Sequence, residues 1–354
     1  MTLYDTISLN VLKHPLCADD IHINEMEPVV KMDEIEIFCN DLGQWCFQLR
    51  NGIRDTYVIA SDDYDCIELY TEQLEHLGVN ENSERFLIRT AFECRFCYEG
   101  IVSLHAACVE NGEYAVAFTG HSGLGKSTRA KAWVDTLGFE WISGDRPAVR
   151  LEKEGSTACG VPWDGKEQIF RDVERPLKAI LEVRRSPANY IRKLTRDQAR
   201  QLIMQQSFVP MWDTDAAVMA MANVRRLIDK TPVYRVFCGP DGDAAKVIYD
   251  ILFNHPEKIR EADEEEMKIK DGFVLRNVVD EFIVMPTGDN IAKFDGAVVL
   301  NEVSAFVFKQ LEHAVTRDDL LQAVLAEFDV DEETAKKDLD ALLEQFVTMG
   351  LLDA

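Results

Sequence analysis

The stretch Gly120-His-Ser-Gly-Leu-Gly-Lys-Ser-Thr128 restricts what this chain can fold into more than any other. It fits G-x-x-x-x-G-K-[ST] at Gly120, Gly125, Lys126 and Ser127. In that spacing glycines let the backbone curl until successive N–H groups face phosphate oxygens. Lys126 then reaches the terminal phosphates and the Ser127 hydroxyl is available to Mg²⁺. Gly120, Ser122, Gly123, Gly125, Lys126, Ser127 and Thr128 are therefore candidate phosphate-binding residues, against the alternative of a glycine-rich turn with no ligand. The flanks agree: 114–119 reads as a buried strand and 126–137 as a helix whose N-terminus faces the anion. Segments 102–109 and 113–119 bracket Asn111-Gly112, a strong hairpin signal, so the strand before the loop is expected to pair antiparallel.

A length of 354 residues implies two or three domains, and an apolar share of 47% is ample for real cores. The net charge of −25 argues against non-specific nucleic-acid binding and against docking on anionic membranes. No apolar run reaches the roughly 18 residues of a membrane span, and the N-terminus lacks a basic, then apolar, signal pattern, so a cytoplasmic protein is expected. Nine scattered cysteines read as free thiols. Cys94-Arg-Phe-Cys97 is a lone CxxC with no second pair to complete a metal site, readable as a redox or metal motif or as two small core residues.

Along the chain, residues 1–100 carry short strands at 34–39, 44–49 and 56–60, then a helix from about 83, with no nameable chemistry. Residues 101–254 hold the glycine loop. There a strand at 139–143 ends in Gly144-Asp145, and an acid just past the strand beside such a loop is the expected Mg²⁺ ligand or general base, so Asp145 is a candidate for both. Trp163 beside Lys166 suits either a substrate contact or a packed loop, and Arg171, Arg175, Arg184 and Arg185 form a basic patch in an acidic chain. Helices at 195–207 and 213–228, a strand at 231–238 and a helix at 244–253 complete this part. Residues 255–270 read as a charged, Pro-started linker. Residues 271–354 show strands at 273–279, 281–285 and 291–294, then helices at 301–312, 316–327 and 331–349, a winged-helix-like outline. Its six basic against eighteen acidic side chains speak against DNA.

Two resemblances follow. Leu104-His105, the loop Gly120-x-Ser-Gly-x-Gly-Lys-Ser127 and Ile142-Ser-Gly-Asp145 resemble the HPr kinase/phosphorylase family, related in fold to ATP-dependent phosphoenolpyruvate carboxykinase. The likeness implies Mg-ATP-dependent transfer of phosphate to a protein or peptide serine, with Lys126 on the phosphates and His105 and Asp145 in the base machinery. The sequence departs from the family at His121, at Thr128 and at Gly144, which stands where the first of two aspartates is usual. Shorter kinases of this type in peptide-modification gene clusters are the more similar group.

Residues 272–352 resemble PqqD, the peptide-chaperone or RiPP recognition element domain, through Val284-x-Pro-Thr-Gly288, Leu300-Asn-Glu302 with Ala305-Phe306, and Asp338 with Leu342, Leu343 and Gly350-Leu-Leu352. The likeness implies that a precursor's leader peptide adds as a strand beside the third strand and against the last helix, near Lys293, Phe294 and Ala297 on the edge and Leu342 and Phe346 on the helix. The expected fold is thus mixed α/β (α+β): a β-rich N-terminal region, a phosphoenolpyruvate carboxykinase/HPr kinase-like P-loop domain and a C-terminal winged-helix-like domain. The expected activity is phosphorylation of a Ser or Thr hydroxyl of a ribosomally made precursor peptide, with ATP and Mg²⁺ as cofactors. A peptide-modifying enzyme of the same pathway is a further expected partner. A non-catalytic nucleotide-binding adaptor, favoured by Gly144, and a small-molecule kinase are the rival readings.

Overall fold

A computed structural model describes residues 10–15, 28–31, 35–49, 56–71, 81–121, 123–163, 169–186, 188–239, 243–262, 266–278, 281–287, 298–313 and 315–352. Among these residues the chain forms, in order, β1 (Asn10–Pro15), β2 (Val30–Lys31), β3 (Ile35–Cys39), β4 (Trp45–Leu49), β5 (Thr56–Ala60), β6 (Cys66–Thr71), α1 (Glu81–Tyr98), β7 (Ile101–Ser103), β8 (Ala106–Glu110) and β9 (Ala115–Thr119). Then come α2 (Lys126–Leu137), β10 (Glu140–Ser143), β11 (Ala148–Leu151), β12 (Ser156–Cys159), β13 (Glu174–Arg185), β14 (Tyr190–Lys193), α3 (Arg196–Gln206), α4 (Thr214–Lys230), β15 (Val233–Cys238) and α5 (Ala244–Phe253). The chain closes with β16 (Glu266–Met267), β17 (Phe273–Val278), β18 (Glu281–Pro286), β19 (Val298–Leu300), α6 (Glu302–Leu311), β20 (Val315–Thr316), α7 (Arg317–Glu327) and α8 (Glu332–Thr348). This is a mixed α/β fold. No helix among the described residues is long and apolar enough to cross a membrane.

Two compact units result: Met1–Glu182 with Arg196–Tyr234, and Val183–Thr195 with Arg235–Ala354. The two units are not consecutive along the chain, because β13 and β15 each run from one unit into the other.

The first unit holds two sheets. One has the order β1-β6-β5-β4-β3-β2, a meander with β1 added parallel to β6. Helix α1 supplies Leu87, Ala91 and Cys94, at helical spacing and fully buried, to one core with Ile37, Phe47, Val58 and Ile67. Each large aliphatic or aromatic side chain so buried contributes about 1.5–3 kcal/mol. Both cysteines of the CxxC are buried core residues, and burial raises both thiols, Cys97 to about 12.

The second sheet runs β10-β8-β9-β13-β12-β11-β7. The expected hairpin is β8–β9, closed through Asn111, whose side chain accepts the N–H groups of Glu113 and Tyr114. On its other edge β9 has a parallel neighbour, β13, with Glu182 opposite Thr119. Among the strands the sequence reading missed are β13 and the short β1, β2, β6, β14, β16 and β20. Helix α2 is held by Ala130 and Trp133, both buried, the Trp133 ring meeting Phe118 at 5.2 Å and Phe139 at 5.0 Å.

In the second unit β14 pairs with β15, β16 with β20, and β17-β18-β19 form an antiparallel sheet. The third strand is Val298–Leu300; the expected strand at 291–294 lies outside the described residues. Helices α6, α7 and α8 are opened by Asn301, Thr316 and Asp331, each accepting a main-chain N–H three residues on. Phe308, Leu320, Leu343 and Phe346 from these helices join Val284 and Leu300 of the sheet in one core. The segment read as a linker is built into this unit. Ile269 is 4% exposed in that core, its N–H donates to the Leu311 carbonyl at 2.8 Å, and the Arg260 N–H donates to Ile191 at 2.9 Å.

Candidate functional site

The candidate site assembles where β8, β9 and the turn after β10 meet. The His105 N–H donates to the Gln206 carbonyl at 2.7 Å, and the His105 carbonyl accepts from Thr119 Oγ1 at 2.9 Å. The Ala106 N–H donates to the Asp145 carbonyl at 2.8 Å. These three bonds fix His105 and Asp145 against the last residue of β9, immediately before the glycine loop. His105 Nε2 stands 3.2 Å from Asp145 Oδ1. The bond from His105 holds the Asp145 carboxyl below its ordinary value, helped by the charges of His105, Arg146 and Lys126 and opposed by burial.

In the loop, Gly120, Gly123 and Gly125 take φ of 128°, 84° and 89°, a region that strains any L side chain. Helix α2 starts at Lys126 with neither a side-chain cap nor an acid in its first turn. Its first N–H groups are thus left for an external acceptor, at the positive end of the helix dipole. Lys126 Nζ donates to the Gly120 carbonyl at 2.9 Å and the His121 carbonyl at 3.4 Å. Burial lowers its ammonium, Asp145 raises it and Arg146 lowers it. Ser127 is half-buried and Thr128 exposed, while Ser122 lies outside the described residues. A glycine backbone of this shape, one lysine and one ionised carboxylate are a donor set suited to a phosphate chain carrying a divalent ion. Among the described residues no three His, Cys, Asp or Glu side chains gather as a metal cluster, and the Mg²⁺ ligands expected from the sequence are Ser127 and Asp145.

Two charged residues of this site escaped the sequence reading. Glu93, on α1, is 2% exposed; its Oε1 accepts from Ser103 Oγ at 2.6 Å and lies 3.7 Å from Arg146 Nη1, and its Oε2 lies 3.6 Å from Arg89 Nε. Burial raises its carboxyl against the pull of both arginines. Arg146 Nε stands 4.0 Å from Asp145 Oδ2. The available signals were slight: one acid beside the apolar face of α1, and an arginine directly after Asp145. Gly144 donates its N–H to the Ile169 carbonyl at 2.9 Å, and a Cβ there would meet Ile169 Cβ at 3.5 Å and the Ile169 carbonyl oxygen at 3.7 Å, both ordinary contacts. Packing therefore does not require glycine at this position.

Other expected contacts resolve differently. Trp163 packs against Phe92 and Phe96, with centroids at 5.2 and 5.9 Å, while Lys166 lies outside the described residues. The basic patch is not one surface. Arg171 and Arg175 pair with the buried Glu110, Arg184 is itself buried, and Arg185 is exposed.

In the C-terminal domain, Lys293, Phe294 and Ala297 lie outside the described residues. Leu342 is half-buried and lines a pocket of about 120 Å³ with Val303, Val307, Phe328 and Leu339. Phe346 is fully buried against Phe308, so its ring belongs to the core and leaves no surface for a peptide.

No curated protein matches the chain. A solved structure described as "TbiB1 in Complex with the TbiA(beta) Leader Peptide" is similar over 25% of this chain and 95% of that chain, at 24% identity and a TM-score of 0.22. Residues 281–352 match the family described as Coenzyme PQQ synthesis protein D (PqqD), so the chain ends in a PqqD-like domain.

Proposed function

We propose that this protein binds the leader of a ribosomally made precursor peptide through its PqqD-like domain and transfers a phosphoryl group from ATP to a Ser or Thr hydroxyl of that peptide. One observation carries the reading: a left-handed glycine loop opening onto Lys126, beside the 3.2 Å Asp145–His105 pair, occurs in the same chain as a PqqD-like domain.

Bound Mg-ATP supplies the transferable group; this chain's residues hold charge and move a proton. The loop N–H groups and Lys126 would hold phosphate charge and Ser127 would hold Mg²⁺, while Asp145 serves the acceptor hydroxyl. His105 Nε2–H donates to Asp145 Oδ1 and fixes the carboxylate plane, which leaves Oδ2 to orient the acceptor hydroxyl and take its proton. The PqqD-like domain raises the effective concentration of the peptide at this chemistry.

The test is mass spectrometry of a precursor peptide whose leader the protein binds, after incubation with the protein and Mg-ATP. A gain of about 80 Da on a Ser or Thr outside the leader is expected. A second reading, a nucleotide-binding adaptor that presents the peptide to another enzyme, is favoured by Gly144 in place of a second carboxylate. Tight binding of the precursor with no mass change supports the adaptor.

A further inference from the structure

Arg146 is unlike the other well-placed arginines of this protein. Arg150 bonds Glu174 at 2.9 and 3.2 Å, Arg192 bonds Asp318 and Asp319 at 2.7 Å, and Arg317 bonds Asp340 at 2.6 and 2.7 Å. The Arg146 guanidinium stands 3.7 Å from Glu93 and 4.0 Å from Asp145, attracted by both carboxylates yet too far for a hydrogen bond to either. Among the described residues none of its side-chain N–H groups is hydrogen-bonded.

Its position is nevertheless fixed. The Arg146 N–H donates to Ser143 Oγ at 3.1 Å, in the turn that carries Asp145, and the side chain is 26% exposed. It is near enough to Lys126 to lower that ammonium and near enough to Asp145 to lower that carboxyl, so Lys126 and Arg146 are two cations on one carboxylate. Glu93 supplies the countercharge from behind. Anchored by Ser103 and 2% exposed, it cannot reach a ligand itself, and it holds the guanidinium without consuming its donors. A half-buried guanidinium with its planar fork of donors unspent is preorganised for a phosphate group.

We propose that Arg146 is a second phosphate-binding cation of this site, which takes the terminal phosphate of a nucleoside triphosphate, with the buried Glu93 holding it in place. The proposal rests on the nucleotide-binding reading of the Gly120–Ser127 loop and adds a discrimination to it. Charge at the terminal phosphate separates a triphosphate from a monophosphate.

Calorimetry on the full-length chain tests it, with Mg-ATP and AMP as ligands and with wild type, Arg146→Ala, Arg146→Lys and Lys126→Ala. Arg146→Ala is expected to weaken Mg-ATP about 10- to 100-fold, the scale of a charge-assisted bond, and to leave AMP within about 2-fold. Arg146→Lys, which keeps a cation opposite Glu93 and so protects the fold, is expected between wild type and Arg146→Ala for Mg-ATP and to leave AMP unchanged. Equal losses for Mg-ATP and AMP in both Arg146 variants make the residue structural and overturn the proposal. Loss of Mg-ATP in Lys126→Ala but not in Arg146→Ala overturns the proposal alone and leaves the loop reading standing. No binding by wild type, or no effect of Lys126→Ala, removes both.

Discussion

His105 Nε2 lies 3.2 Å from Asp145 Oδ1, so one carboxylate oxygen is committed to the imidazole while the other has Arg146 Nε as its neighbour at 4.0 Å. An acid paired in this way stays ionised at any working pH. Asp145→Asn keeps the shape and removes the charge that an acceptor hydroxyl requires in the transition state. Single-turnover kinetics should show the transfer rate falling by about 100-fold or more, with ATP affinity within about 3-fold of wild type. A parallel fall in affinity would make Asp145 a ground-state ligand instead.

The same pair sets a pH signature of stability. The folded-state carboxyl is held below its unfolded value of about 3.9, so its contribution is full above that value and is lost as pH falls through the folded one. Urea unfolding at pH 7, 5 and 3.5 should show a wild-type advantage over Asp145→Asn that is flat between pH 7 and 5 and shrinks at 3.5. An advantage that grows on acidification contradicts the pairing.

Asp319 is 5% exposed and meets Arg192 Nη1 at 2.7 Å through one oxygen and Arg235 Nη1 at 3.0 Å through the other. Asp319→Ala removes the buried carboxylate that these two buried guanidinium groups share and should cost about 3–5 kcal/mol in urea unfolding. Asp318→Ala removes a more exposed partner of Arg192 and should cost under about 1 kcal/mol. Equal costs for the two variants would show that burial does not govern this cluster.

On α8, neighbouring turns separate reading from folding. Phe346→Ala empties a fully buried site and should cost about 3–5 kcal/mol of stability. Leu342 lines the pocket and is only half-buried, so Leu342→Glu should weaken leader-peptide binding, measured by fluorescence anisotropy, while the melting temperature stays within a few degrees. Unchanged affinity for Leu342→Glu would move the peptide site off this pocket.

What the sequence made legible was local. The glycine loop, the Asn111-Gly112 hairpin, the helix from about 83 and the helix at 316–327 are each written within a short run of residues, and each recurs in the structure. Strand β13 was not legible. Pro176, Lys178 and three arginines give it the composition of a basic loop, and only its non-local pairing with β9 and β12 buries it. Ile269 was hidden among the charges around it, although it enters a core. Glu93 with Arg146, and Arg192 with Asp319, are far apart along the chain, and no periodicity carries such a pair. Half of the candidate site was therefore readable as a motif, while its charged backing emerged only once α1 packed beneath Asp145.

Gly144 bears on whether the site turns over at all. The bond from His105 and the nearby cations lower the Asp145 carboxyl, which makes it a weak proton acceptor at neutral pH, and catalytic bases work best with values near the working pH. A second carboxylate beside it would raise it by like-charge repulsion. The backbone admits one, since a Cβ at this position meets Ile169 Cβ at an ordinary 3.5 Å. Gly144→Asp should therefore fold and bind ATP like wild type, and it should increase phosphate transfer to the precursor about 3- to 10-fold at pH 7, with the acid limb of the rate profile moved upward. Radiolabelled ATP and the precursor, followed from pH 5 to 8, measure this. Slow transfer by wild type with a faster Gly144→Asp establishes a kinase working on one carboxylate. Transfer by Gly144→Asp alone identifies an adaptor that lost its activity with that side chain, and no transfer by either protein removes the kinase reading.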